Sequence, residues 1–243
     1  MKRAEFIELL TLFGVTALLP PIMSFTSTNL PAEELIGKGS PELFGEGFAL
    51  RKDAYDSFMK MKMKAAESGI KIKVVSSYRN YAHQNRIWER KYKKFISEGL
   101  SPIEAILKIV EYSTIPGTSR HHWGTDLDIV DGAITQPKNL LVAKHFHDDG
   151  PFCKLKEWLD ANSESFGFYL VYTDNGNRKG FKYEPWHLSY KPLSLDYLTE
   201  FKELDTLKTL QEERLLGSEH FTDDFIKSYI SDNILDINPE LLP

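Results

Sequence analysis

The run Thr118-Ser119-Arg120-His121-His122-Trp123-Gly124-Thr125-Asp126-Leu127-Asp128 constrains this chain more than any other stretch. Gly124 interrupts it, so His121 and Asp128 do not share two turns of one continuous helix. Leu127-Asp128-Ile129-Val130 instead reads as a short strand after a glycine-containing loop. Alternate side chains of a strand share a face, so Asp126 and Asp128 project together while Leu127 and Ile129 enter the core. His121 must then reach back over the loop. Downstream, Glu184-Pro185-Trp186-His187 supplies a second imidazole and another carboxylate. A fully extended backbone would send positions 184 and 187 to opposite faces, so a bend near Pro185 is required to bring both to one place.

Two imidazoles, His121 and His187, with one carboxylate, Asp128, form a three-ligand set of the kind a catalytic zinc ion takes, leaving a fourth position for water. Glu184, beside the third ligand, is a candidate general base. Hydrolysing an amide near neutral pH requires polarising a water and removing its proton, and this set offers a residue for each task. The spacing of His121 and Asp128 alone is a weak signal; its loop-then-strand context and the downstream pair give it weight.

Ser119-x-His121-x-x-Gly124-x-x-x-Asp128, then Glu184-Pro185-Trp186-His187, preceded by Ser76-Ser77-Tyr78-Arg79 and Gln84, resembles the VanY-type D-alanyl-D-alanine carboxypeptidases. These belong to a wider group of lysostaphin-like, D-Ala-D-Ala and hedgehog-related metal-binding domains, and the resemblance runs from about Ala54 to Tyr190. It implies Zn2+ on His121, Asp128 and His187, catalysis by Glu184, and transition-state or carboxylate binding by Arg79. Ser77, Gln84, Ser119 and Trp186 are the expected substrate-binding residues, with Trp186 equally suited to core packing. The implied substrate is a peptidoglycan stem peptide, and the implied reaction removes its terminal D-alanine. One position departs from the family pattern: two residues before the ligand aspartate, where a small residue is usual, stands Asp126, suited either to orient a ligand histidine or to compete for the metal.

With 243 residues and a net charge of -5, the chain is large enough for one substantial core and lacks the concentrated positive charge that phosphate binding needs, so no nucleic-acid partner is expected. Cys153 is the only cysteine, which excludes an intrachain disulfide; it reads as a small buried residue. His83, His145, His147 and His220 lack a third nearby ligand and read as solvated, and His122 as a cleft-wall or surface residue.

Residues 1–25 read as an export segment: Lys2-Arg3 precedes the apolar run Leu9 to Leu19, too short to span a membrane comfortably but suited to a signal-peptide core. No stable membrane span is expected in the mature chain, and the expected location is the periplasm or cell envelope. Residues 26–47, rich in Ser, Thr, Pro and Gly, read as a linker, 48–192 as the zinc peptidase domain, and 193–243 as a helical C-terminal extension. Tyr55, Met59, Met63 and Ala66 recur at helical spacing and mark an expected core face. Ile72 and Val74 alternate with lysines in a strand that delivers Arg79 near its end. Two helices follow, the second opened by the capping box Ser101-Pro102-Ile103-Glu104. Phe168 to Tyr172, a turn over Asp174 to Asn177, and Phe181 to Tyr190 read as a pair of strands.

The expected fold is α+β, a small mostly antiparallel sheet with helices around it and one zinc site. Two rival functions share these residues. An L,D-carboxypeptidase or endopeptidase would use the same metal chemistry, and a metal-stabilised binding module would need no base, so the presence of Glu184 favours an enzyme.

Overall fold

The computed structural model describes residues 30–243; the export segment expected over 1–25 lies outside the described residues. Four strands, β1 (Ile72–Ser76), β2 (Asp126–Asp131), β3 (Phe168–Leu170) and β4 (His187–Tyr190), form one sheet in the order β1-β2-β4-β3. Every neighbouring pair is antiparallel. Eight α-helices surround it among the described residues: α1 (Ala32–Leu35), α2 (Lys52–Glu67), α3 (Tyr81–Ser97), α4 (Pro102–Ile109), α5 (Cys153–Asn162), α6 (Lys191–Glu203), α7 (Thr206–Glu212) and α8 (Asp223–Tyr229). The α+β architecture is the one expected from the sequence.

The two faces of the sheet have different work. Leu127 and Ile129 of β2 and Leu188 of β4 pack with Phe58 and Met61 of α2 and with Leu155 and Leu159 of α5. A second core joins Trp88 and Tyr92 of α3, Ile106 and Ile109 of α4, and Trp123 to the C-terminal residues Phe201, Leu210, Phe221, Ile226 and Tyr229. The C-terminal extension is therefore built into the body of the fold, sharing a core with residues 81–123.

Register fixes the site. Across β2 and β4, Asp128 pairs with His187 and Asp126 with Ser189, so these four side chains share one face while Leu127 pairs with Leu188 on the other. On the other side of β2, Ser76 pairs with Asp128, and the register shift between Val74 and Ser76 marks a bulge that turns β1 just before Ser77.

Several sequence expectations need correction. The buried face of α2 is Ala54, Phe58, Met61 and Ala65, and Met63 is 62% exposed. Two apolar stripes with helical spacing compete on this helix, and the one containing the large Phe58 is buried. Residues 26–47 are not a loose linker from Leu30 onward: Leu35 is buried, its carbonyl accepts the Trp123 indole N–H at 3.2 Å, and the Gly37 carbonyl accepts from the Tyr81 amide at 2.7 Å. Turn-forming residues signalled irregular backbone there, and irregular backbone packs well when its carbonyls are satisfied. The strand pair is also shorter than expected. β3 ends at Leu170, because the side chain of Asn238 donates to the Leu170 carbonyl at 2.9 Å and its amide to the Val171 carbonyl at 2.9 Å, so the C-terminal segment takes over that edge.

Candidate functional site

The histidine loop begins where Pro116-Gly117 breaks the chain. Residues Arg120–Trp123 form a single 3-10 turn that ends at Gly124 with φ 71°, a left-handed conformation glycine adopts without strain. A side chain there would also press on Leu43, whose Cδ2 lies 3.0 Å from the place of a Cβ. The turn throws His121 back over β2, as the loop-then-strand reading requires. The loop is clamped to the end of β1: the Arg79 amide donates to the His121 carbonyl at 3.1 Å, and the Arg79 carbonyl stands 2.6 Å from Nδ1 of His122. Arg79 is thereby tied to the residues around the first candidate ligand.

The second half of the site comes from a tight turn. The His187 amide donates to the Glu184 carbonyl at 3.1 Å, with Pro185 at the second position, where its fixed φ suits a turn. This is the bend the sequence demanded, and it swings the Glu184 carboxylate to within 3.0 Å of Nδ1 of His187.

His121, Asp128 and His187 each offer a ligand atom, and these atoms lie within 4.8 Å of one another in a buried cluster. Nε2 of His121 is 3.5 Å from Oδ2 of Asp128, and Nδ1 of His187 is 3.8 Å from Oδ1 of the same carboxylate. The far side of each imidazole is tied. Nδ1 of His121 donates to the Ser77 carbonyl at 2.8 Å, and Nε2 of His187 meets Oδ1 of Asp126 at 3.0 Å. A carbonyl can only accept, so His121 keeps Nε2 for the cluster. Oδ1 of Asp128 is buried with no hydrogen-bond partner among the described residues, a costly condition that a cation would relieve. Two nitrogens and one carboxylate oxygen with their outer sides anchored suit zinc.

Charge distribution follows from this packing. Burial pushes the Asp128 carboxyl up to about 6, opposed by His187 and Arg79. Burial works against the charged form of His187, but its bonds to Asp126 and Glu184 outweigh it and lift the ring to about 10. His121 is held well below its ordinary value by burial and by Arg79. Burial would raise Asp126, yet Arg120 and His187 prevail and hold its carboxyl well below the usual range.

A cleft of about 410 Å³ opens over the cluster, walled by Arg79, Ser119, Tyr172, Tyr183, Glu184 and Trp186 among others. Ser119 and Arg79 each keep a buried polar atom, Oγ and Nε, without a partner among the described residues. Two of the expected substrate-binding residues do not reach this cleft. Ser77 Oγ accepts the Ala49 amide at 2.9 Å, and Gln84 is fully buried with Nε2 donating to the Thr114 carbonyl at 2.9 Å. Both hold up the walls, Ser77 through its carbonyl on His121 and Gln84 through Thr114, which does line the cleft. Trp186 combines its two readings, lining the cleft while its ring packs 5.8 Å from Phe146 in the core. His122 is a fully buried brace, with Nε2 accepting the Gly117 amide at 3.2 Å and burial holding it down to about 4. The sequence reading missed Arg120, Tyr172 and Lys91, which also line the site. Only Arg120 carried a signal, an unmatched charge inside the histidine motif.

A family model described as VanY, D-alanyl-D-alanine carboxypeptidase, matches residues 47–193, more than half of the chain. The chain belongs to the VanY family. A D-alanyl-D-alanine carboxypeptidase of Enterococcus faecalis is 30% identical over 127 residues, 52% of this VanY-family chain and 42% of the enterococcal one. The chain thus spans less than half the length of that relative. Among solved structures, VanYB in complex with D-alanine-D-alanine aligns with a TM-score of 0.52 and 24% identity over 73% of this chain and 92% of that one. A mutant of the vancomycin resistance D,D-pentapeptidase VanY, in complex with Zn(II), aligns with a TM-score of 0.51 and 25% identity over 70% and 90% of the respective chains. The family match ends at residue 193, so the C-terminal segment that completes the second core lies beyond it.

Proposed function

We propose that this VanY-family chain is a zinc-dependent D-alanyl-D-alanine carboxypeptidase that trims peptidoglycan stem peptides. The observation that carries this reading is the convergence of His121, Asp128 and His187 with Glu184 in one cleft, Glu184 standing 3.0 Å from the third ligand. His121, Asp128 and His187 would hold the zinc, which when bound would supply a Lewis acid for the scissile carbonyl and lower the pKa of a water. Glu184 takes the proton from the attacking water and passes it to the leaving D-alanine amine. Arg79, half-buried on the cleft wall, offers a planar fork for the developing oxyanion or the terminal carboxylate. Ser119 adds a hydroxyl, and Trp186 gives the peptide an apolar wall.

A substrate in the cell wall requires the enzyme to leave the cytoplasm, and Lys2-Arg3 with the apolar run to Leu19 is suited to that task. Among the described residues no helix is long and apolar enough to cross a membrane. Fractionation tests export: full-length chain retained with the cytoplasm would contradict it. Mass spectrometry of defined stem peptides tests specificity. Loss of one D-alanine from a pentapeptide ending in D-Ala-D-Ala is expected; cleavage only of tetrapeptides or only of cross-links would assign the same chemistry to an L,D-carboxypeptidase or an endopeptidase.

A further inference from the structure

The zinc-peptidase reading leaves Asp126 without a task, although it is among the most completely engaged side chains of the molecule. It is fully buried. Oδ1 accepts Nε–H of Arg120 at 3.0 Å and Nε2–H of His187 at 3.0 Å. Oδ2 accepts the hydroxyl of Thr125 at 2.6 Å and that of Ser189 at 3.0 Å. Ser189 Oγ in turn accepts Nη2–H of Arg120 at 2.7 Å. A carboxylate has about four acceptor directions, and all are in use, so neither oxygen is left for a metal.

We propose that Asp126 is the positioning residue of His187, with Arg120 as its buried counter-charge, and that this pair fixes which imidazole nitrogen serves the metal. The inference rests on the zinc-peptidase reading. Strand register supplies the geometry: Asp126 opposite Ser189 is the next pair along from Asp128 opposite His187, so the positioning carboxylate and the ligand carboxylate flank the imidazole from one strand. With the Nε2 proton held by Asp126, the nitrogen left to exchange its proton for a metal is Nδ1, the atom that faces Asp128 and Glu184. An alanine at this position could accept no such proton. Arg120 is itself held in place, its guanidinium 4.8 Å above the Trp123 ring, and its Nε lies 3.0 Å from Oδ1 of the buried Asp126 as the counter-charge. Asp126 therefore does not compete for zinc; it presents His187 to it.

The test is zinc affinity, measured on the metal-free full chain by competition with a chromophoric chelator. Asp126→Asn keeps the shape but weakens the hold on the Nε2 proton, and zinc binding should weaken by about 10- to 100-fold, the usual cost of removing such a partner. Saturating zinc should still load about one ion per chain, as expected for a site with three intact ligands. Because Asp126→Asn leaves the Arg120 charge unpaired and could unfold the chain, a second variant, Asp126→Ala with Arg120→Leu, removes both charges. It should show the same weakening. A third readout needs no substitution: nuclear magnetic resonance of isotope-labelled histidine in the zinc-loaded wild type should find His187 protonated at Nε2 and metal-bound, without a proton, at Nδ1. Unchanged or tighter zinc binding in the folded variants, or the opposite tautomer, overturns the inference. A wild-type chain that takes up no zinc would defeat the zinc-peptidase reading instead, so the two failures are separable.

Discussion

The hydroxyl of Tyr229 lies 2.8 Å from Oγ1 of Thr118. Thr118 spends its own proton on the Ile115 carbonyl at 2.8 Å, so Tyr229 donates to Thr118 while accepting the Ile115 amide at 3.0 Å. A residue beyond the family match thus closes the loop that leads to His121. Both partners are buried, so Tyr229→Phe strands the Ile115 N–H at a cost of about 1–3 kcal/mol. For a chain of this size the unfolding midpoint should fall by about 2–4 °C per kcal/mol. Calorimetry at saturating zinc checks this, and an unchanged midpoint would show the bond to be dispensable.

His121→Ala removes one of three ligands and should abolish stable zinc loading and peptide hydrolysis together. Stripping zinc from the wild type with a chelator should lower its unfolding midpoint, because an ion that binds only the folded state stabilises it. Elemental analysis of the variant decides the assignment: full zinc content without His121 would remove it from the ligand set.

Arg79 sits on the cleft wall with its backbone clamped to the histidine loop, so changing its side chain should leave the metal in place. Arg79→Lys preserves charge and loses the bidentate fork, and turnover should drop while zinc content holds. Wild-type turnover would mean that the guanidinium has no role in binding the oxyanion or carboxylate.

How much of this was legible in the sequence differs between the halves of the site. The alternation around Asp128 and the need for a bend at Pro185 follow from backbone geometry alone, and both are found. The roles of Ser77 and Gln84 were not legible, because a polar residue in a motif reads the same whether its side chain faces substrate or holds up a wall. The bulge after Val74 turns Ser77 so that its carbonyl, rather than its hydroxyl, serves the site. The C-terminal segment was opaque for another reason. Its bonds to Thr118, Ile115 and Leu170 join residues far apart in the chain, and no local pattern encodes such partners.

In the proposed function, Glu184 is the base of a zinc D,D-carboxypeptidase. Glutamine matches glutamate in shape and cannot accept a proton at neutral pH, so Glu184→Gln separates the base from the ligand set. The direct measurement is steady-state release of D-alanine from a synthetic stem pentapeptide, with zinc content determined on the same samples. Turnover should fall by roughly a hundredfold or more at undiminished zinc content, the usual scale for a general acid–base group. Near wild-type release by the zinc-loaded variant would contradict it.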